Sequence, residues 1–76
     1  MIQENIRLSS VEQVQKFTSA MGEFDFEVDL LSGRYIVNGK SIMGILSLDL
    51  NHPIQVKAEV PQDKAERFLE VIHSFA

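Results

Sequence analysis

Apolar and polar residues alternate most regularly between Phe24 and Leu30. Phe24, Phe26, Val28 and Leu30 are separated by Asp25, Glu27 and Asp29. Successive side chains of a strand point to opposite faces, so this spacing predicts a strand with one dry face and one acidic, wet face. Ser32-Gly33 then predicts a turn, 34–37 the return strand of a hairpin, and Asn38-Gly39 its end. The alternation recurs over 54–60, with Ile54, Val56, Ala58 and Val60 set against Gln55, Lys57 and Glu59. Residues 5–8 read as a shorter extended segment with Ile6 and Leu8 on one face.

Between these segments the period lengthens. Val11, Val14, Phe17 and Met21 recur at helical spacing. Ser9 and Ser10 precede them as N-cap residues, with Glu12 or Gln13 as the capping-box partner and Gly22 as the stop. A helix over 10–21 follows. Near the C-terminus Ala65, Phe68, Leu69, Ile72 and Phe75 form one apolar stripe, with Asp63 as the expected cap and Glu66 completing its box. Residues 41–50 contain six apolar side chains, Ile42, Met43, Ile45, Leu46, Leu48 and Leu50. Periodicity does not separate helix from strand there. Ser41 as an N-cap favours a short helix, interrupted by Gly44.

The order is βαββαβα, an α+β fold. Strands with one wet face predict a four-stranded antiparallel sheet covered on one side by helices, an open-faced β-sandwich. With 76 residues the chain is one domain, 1–76, too short for both a large core and a deep cleft. Phe17, Phe26, Val28, Ile36, Val56, Phe68, Leu69 and Ile72 are the expected core.

Composition narrows the function. There is no cysteine, which removes disulfides and thiolate chemistry and suits a reducing compartment. The net charge is −4 and the seven basic residues are scattered, a poor match to nucleic acid. No apolar run approaches a membrane span, and the start Met1-Ile2-Gln3-Glu4 has no basic leader. A cytoplasmic protein that binds neither nucleic acid nor membrane is expected.

The segment Lys40-Ser41-Ile42-Met43-Gly44-Ile45-Leu46-Ser47-Leu48 is the most specific motif. It resembles the second-helix motif, KSIMGxxSL, of HPr proteins of Gram-positive bacteria. HPr is the phosphocarrier family of the phosphoenolpyruvate:sugar phosphotransferase system, and its element order is also βαββαβα. The resemblance is sharp in this segment and weaker around Phe17 and the final helix. It implies an HPr-like domain without cofactor or metal, working through other proteins.

The family's catalytic motif, roughly GxHxRPA, opens its first helix, and its histidine carries phosphate. A gap-free count back from Ser41 puts Ser10 at the histidine position, Glu12 at the arginine and Gln13 at the proline. No histidine precedes His52. A serine phosphoester is too inert to pass on, and Glu12 reverses the charge that would hold a phosphate. The family's second phosphorylated position, a serine modified by a dedicated kinase, corresponds to Ser41, whose flanks are retained.

Each feature also has a plainer reading. Ser41 is a helix cap with or without a phosphorylation role. Ile42, Met43 and Leu46 are either core or, as the resemblance implies, an apolar patch that with Lys40 docks partners such as an HPr kinase-type enzyme, a transcriptional regulator or a metabolic enzyme. His52 and His73 lack a carboxylate or second histidine at ligand spacing and read as surface residues. Asp25, Glu27 and Asp29 stand roughly 6.6 Å apart in steps of two along a strand, too far to share a metal, and read as a solvated face. Ser9 and Ser10 have no general base in view, so no enzyme constellation is present. A regulatory or adaptor protein of HPr type is therefore expected, with Ser41 as its switch. Two alternatives stand beside it: a phosphocarrier that uses His52 or His73, and a binding or oligomerisation module that has lost the phosphotransferase role.

Overall fold

A computed structural model describes residues 1–76. Its elements are β1 (Ile2–Ile6), α1 (Val11–Met21), β2 (Asp29–Ser32), β3 (Tyr35–Asn38), α2 (Ile42–Leu46), β4 (Ile54–Ala58) and α3 (Gln62–His73). The four strands form one antiparallel sheet in the order β1-β4-β2-β3. The βαββαβα order and the α+β class stand as expected.

The register explains how the sheet sorts its faces. Leu30 pairs with Val56 and Val37, and Ile6 with Ile54. Ile6, Leu30, Ile54 and Val56 are fully buried and meet Val14, Phe17 and Met21 of α1, Ile45 of α2, and Phe68 and Ile72 of α3. The intervening residues, among them Lys57, Asp29 and Ile36, face away from the helices. Removing these apolar side chains from water, at roughly 25 cal/mol per Å², is the main drive for assembly.

The long strand expected over 24–30 is corrected. Only Asp29–Ser32 joins the ladder, and 24–28 is irregular. The alternation of burial survives there: Phe24 and Val28 are buried and Phe26 is half-buried. Side-chain contacts replace strand pairing. The Phe24 and Phe26 rings lie 5.3 and 5.4 Å from the Phe68 ring. The Gly39 N–H donates to the Val28 carbonyl at 2.7 Å, and a Cβ on Gly39 would stand 3.0 Å from the Val28 side chain, so a larger residue at this close crossing would push Val28 by a few tenths of an ångström.

Other boundaries shift for local reasons. The first strand begins at Ile2 and stops at Ile6, so Leu8 reaches the core from the connection to α1. The helix expected over 41–50 ends at Leu46, with Ser47 as C-cap. The strand expected over 54–60 ends at Ala58. Asp63 does not cap α3: the N-cap is Pro61, without a side-chain bond, and Asp63 lies inside the first turn, where a carboxylate suits the helix dipole.

Ile36 was expected in the core and is 66% exposed. In the run Tyr35-Ile36-Val37 it is Val37 that packs on the core, and pairing with Leu31 turns Ile36 to the open side. Leu69 and Ala65 are only half-buried, and Val11 is exposed at the solvent edge of α1.

Asp25 accepts a hydrogen bond from Lys64 Nζ at 3.0 Å. This bond first, and then the lysine's charge, holds the Asp25 carboxyl below its ordinary range. A lowered folded-state pKa gives stability that is present above the ordinary carboxylate range and is lost as pH falls through the lowered value. Lys64→Met should move the Asp25 titration midpoint up, as followed by NMR, with only a small change in stability because the pair is exposed.

Candidate functional site

Two helix N-termini carry the candidate residues. At the first, Ser10 caps α1: its Oγ accepts from the Gln13 N–H at 3.1 Å. Gln13 Oε1 reaches back to the Ser9 N–H at 2.7 Å and the Ser9 hydroxyl at 2.9 Å. Gln13 is therefore the partner of both serines, with its side chain reaching Ser9, one residue before the cap, rather than the Ser10 N–H of a strict capping box. Glu12 points elsewhere and pairs with Lys16 at 3.2 Å on the helix surface. This end of the helix holds hydroxyls, an amide and a carboxylate, with neither an imidazole nor a guanidinium within its capping network.

At the second, Ser41 caps α2. Its Oγ accepts from the Gly44 N–H at 3.1 Å, and its backbone N–H donates to the Asn38 carbonyl at 3.0 Å. Gly44 is packed closely: a Cβ there would lie 3.2 Å from Ser41 Oγ and 3.3 Å from Val37 Cβ. The absence of a side chain at Gly44 thus lets the short helix sit close against β3, with Ser41 half-buried at its start.

The six apolar side chains of 41–50 divide by burial. Ile45 and Leu48 are in the core and Leu50 is half-buried. Met43 is 80% exposed, Ile42 40% and Leu46 38%. These three form an apolar surface next to Ser41. Lys40 is half-buried, and its Nζ donates to the Phe24 carbonyl at 2.6 Å. It fastens the irregular 24–28 segment to the start of α2, a role that the sequence did not signal because its partner lies 16 residues away.

The two histidines each have a carboxylate neighbour, which corrects the sequence reading. His52 Nε2 is 3.4 Å from Asp49 Oδ2, and His73 Nε2 is 2.9 Å from Glu4 Oε1. Both rings remain largely exposed, as surface residues should. The Glu4 contact arises because Glu4 pairs with Val56 and so faces the helix layer, where α3 ends. No three histidine, aspartate or glutamate side chains come together as a metal site would require.

Comparison with known proteins adds three findings. Residues 11–76 match the family model PTS-HPr, described as the PTS HPr component phosphorylation site. The match begins one residue past Ser10. A search of the curated proteins finds no match.

Among solved structures, the chain is similar to the phosphocarrier protein HPr of Bacillus anthracis str. Ames. That likeness has 24% identity and a TM-score of 0.77, over 99% of this chain and 95% of that one. HPr-C-His from Thermoanaerobacter tengcongensis gives 20% identity and a TM-score of 0.76, over 96% and 85%. Crh, the catabolite repression containing protein of Bacillus subtilis, gives 21% and 0.66, over 100% and 91%; its structure is a swapped, intertwined dimer. At these identities the likeness carries the fold alone. No helix is long and apolar enough to cross a membrane.

Proposed function

This chain belongs to the HPr family of the phosphotransferase system, and on that premise we propose that it is a regulatory or adaptor member that does not carry phosphate on a histidine. It docks other proteins through the surface of Ile42, Met43 and Leu46, and phosphorylation of Ser41 switches that docking. The partners are proteins: a kinase of the HPr type, and a transcriptional regulator or metabolic enzyme. Its place is the cytoplasm.

The exposed apolar surface beside Ser41 carries this reading. Met43, the most exposed of the three, is flexible and polarizable and adapts to different partners. Lys40 borders the surface and contributes its positive field while its ammonium rests on the Phe24 carbonyl. Phosphate on Ser41 adds a charge of about −1.5 to −2. With only five residues, α2 has a weak dipole, so the modification acts on docking more than on stability. A partner that presents an arginine gains a charge-assisted pair, and one with an acidic rim is repelled.

The opposite finding at α1 supports the loss of the carrier role. Ser10 is engaged as a cap and Glu12 would oppose an incoming phosphate. His52 and His73 each have Nε2 against a carboxylate, Asp49 and Glu4, and neither takes part in the bonds of that cap.

Incubation with an HPr kinase from a Gram-positive bacterium and ATP should add one phosphoryl group by mass spectrometry, and none to Ser41→Ala. Phosphoenolpyruvate with the general phosphotransferase enzymes should leave no acid-labile phosphate. If the unmutated protein gains no phosphate, or the alanine variant gains as much, Ser41 is only a cap.

A further inference from the structure

The strand β3, Tyr35–Asn38, closes one side of the sheet and pairs only with β2. Gly33 and Arg34 alone separate Ser32 from Tyr35, and Gly33 has a φ of +59°, the only positive φ in the chain. In such a two-residue hairpin the pair that flanks the turn, Ser32 and Tyr35, exchanges hydrogen bonds. The next residue, Ile36, therefore turns its N–H and C=O outward, and neither takes part in any turn or loop bond. Edge strands are commonly guarded by a lysine, a proline or a bulge. The sequence Tyr-Ile-Val-Asn has none of these. Tyr35 and Ile36 are 70% and 66% exposed. The other edge strand, β1, carries the charged Glu4.

We infer that β3 is an interface for a second copy of this chain, with the two β3 strands pairing antiparallel about a two-fold axis to join two four-stranded sheets into one of eight. The occupant follows from self-complementarity. Pairing Ile36 with Ile36 of the second copy satisfies the outward N–H and C=O groups of both. On the open side it makes a continuous apolar row of Leu31, Ile36, Ile36 and Leu31, because Leu31 lies directly opposite Ile36 within each chain. The charges match as well. Arg34 precedes β3 and Asp29 lies beside its far end, opposite Asn38, and neither is in an ion pair within one chain. The antiparallel arrangement brings each Arg34 toward Asn38 and Asp29 of the other copy, twice over. Two four-residue strands bury far less than the ~1,200 Å² of a small stable interface, so the association is weak and in rapid exchange. The inference does not depend on the function of Ser41.

Sedimentation velocity of the full chain from about 10 µM to about 1 mM should show a rising weight-average mass toward a dimer. NMR over the same range should move the amides of Tyr35, Ile36, Val37 and Asn38 most. Ile36→Lys places a charge on the edge and should keep the chain monomeric across the range, with an unchanged far-UV circular dichroism spectrum. Should that variant misfold, Tyr35→Lys and the concentration-dependent shifts of the unmutated protein decide the matter. A chain that stays monomeric at the highest concentration overturns the inference. So does a dimer unaffected by both lysine variants, or one whose shifts map to β1 or to the Ile42–Met43–Leu46 surface.

Discussion

Truncating Phe68 to alanine should cost about 3–5 kcal/mol, as large aromatic deletions in a packed core do. Domains of this kind hold only about 5–15 kcal/mol in total. Phe68 is fully buried on α3, with the Phe24 ring at an interplanar angle of 77° and the Phe26 ring at 64°. Both are edge-on arrangements that the aromatic quadrupole favours. The loss should be larger in effect than area alone suggests. Residues 24–28 lie outside the strand ladder, and these rings, with the Lys40 and Lys64 ammonium contacts and the Gly39 N–H bond to the Val28 carbonyl, fix them. Urea unfolding should show a much lower midpoint with an unchanged slope. Amide exchange should quicken first over 24–28. Phe26→Ala should cost clearly less, because that ring is only half-buried. Equal losses for the two variants would contradict this account of how the segment is held.

The same segment shows where a sequence stops being informative. The period of two between Phe24 and Leu30 reports that the backbone is extended, and the burial pattern follows it. It does not report whether another strand lies alongside. Here β4 ends at Ala58, which is opposite Val28 when the register of Leu30 with Val56 is continued, so residues 24–27 have no strand to pair with. Ile36 failed for a related reason. Three apolar residues in a row have no alternation, and only the pairing with Leu31 decides which of them faces out. The α1 cap was legible because its partners, Ser9, Ser10 and Gln13, lie within one turn. The α3 cap was not, because Pro61 starts that helix through its fixed backbone rather than through a side-chain acceptor.

The candidate site divides in the same way. Ser41 as a cap follows from local spacing, and the hydrogen bond to the Gly44 N–H has the geometry that spacing predicts. That six apolar residues could not all hide in one short helix was also legible, and Ile42, Met43 and Leu46 are the three left outside. The anchoring of Lys40 on Phe24 and the contact of His73 with Glu4 join residues far apart in sequence. No local rule reaches them, because they depend on how the helix layer seats on the sheet.

Restoring the histidine alone should not restore phosphate transfer. Ser10→His supplies a nitrogen nucleophile at the counted position but removes the acceptor that Gln13 N–H uses, at a cost of about 0.5–2 kcal/mol. It also leaves Glu12 within the same turn. That carboxylate leans on Lys16, an exposed pair that a competing phosphate would disturb and that screens little of the negative charge. Combining Ser10→His with Glu12→Arg replaces a repelling group with a forked, charge-assisted donor. A hydrogen bond to a charged group contributes about 1.5–3 kcal/mol, so the double variant should reach about 10- to 100-fold more acid-labile phosphate than Ser10→His alone. The measurement is transfer from phosphoenolpyruvate by the general enzyme, with phosphate counted before and after mild acid. A Glu12→Arg control without the histidine should stay unlabelled. If the single and double variants are phosphorylated equally, the charge at position 12 does not limit transfer, and the reason this helix start carries no phosphate reduces to the missing imidazole.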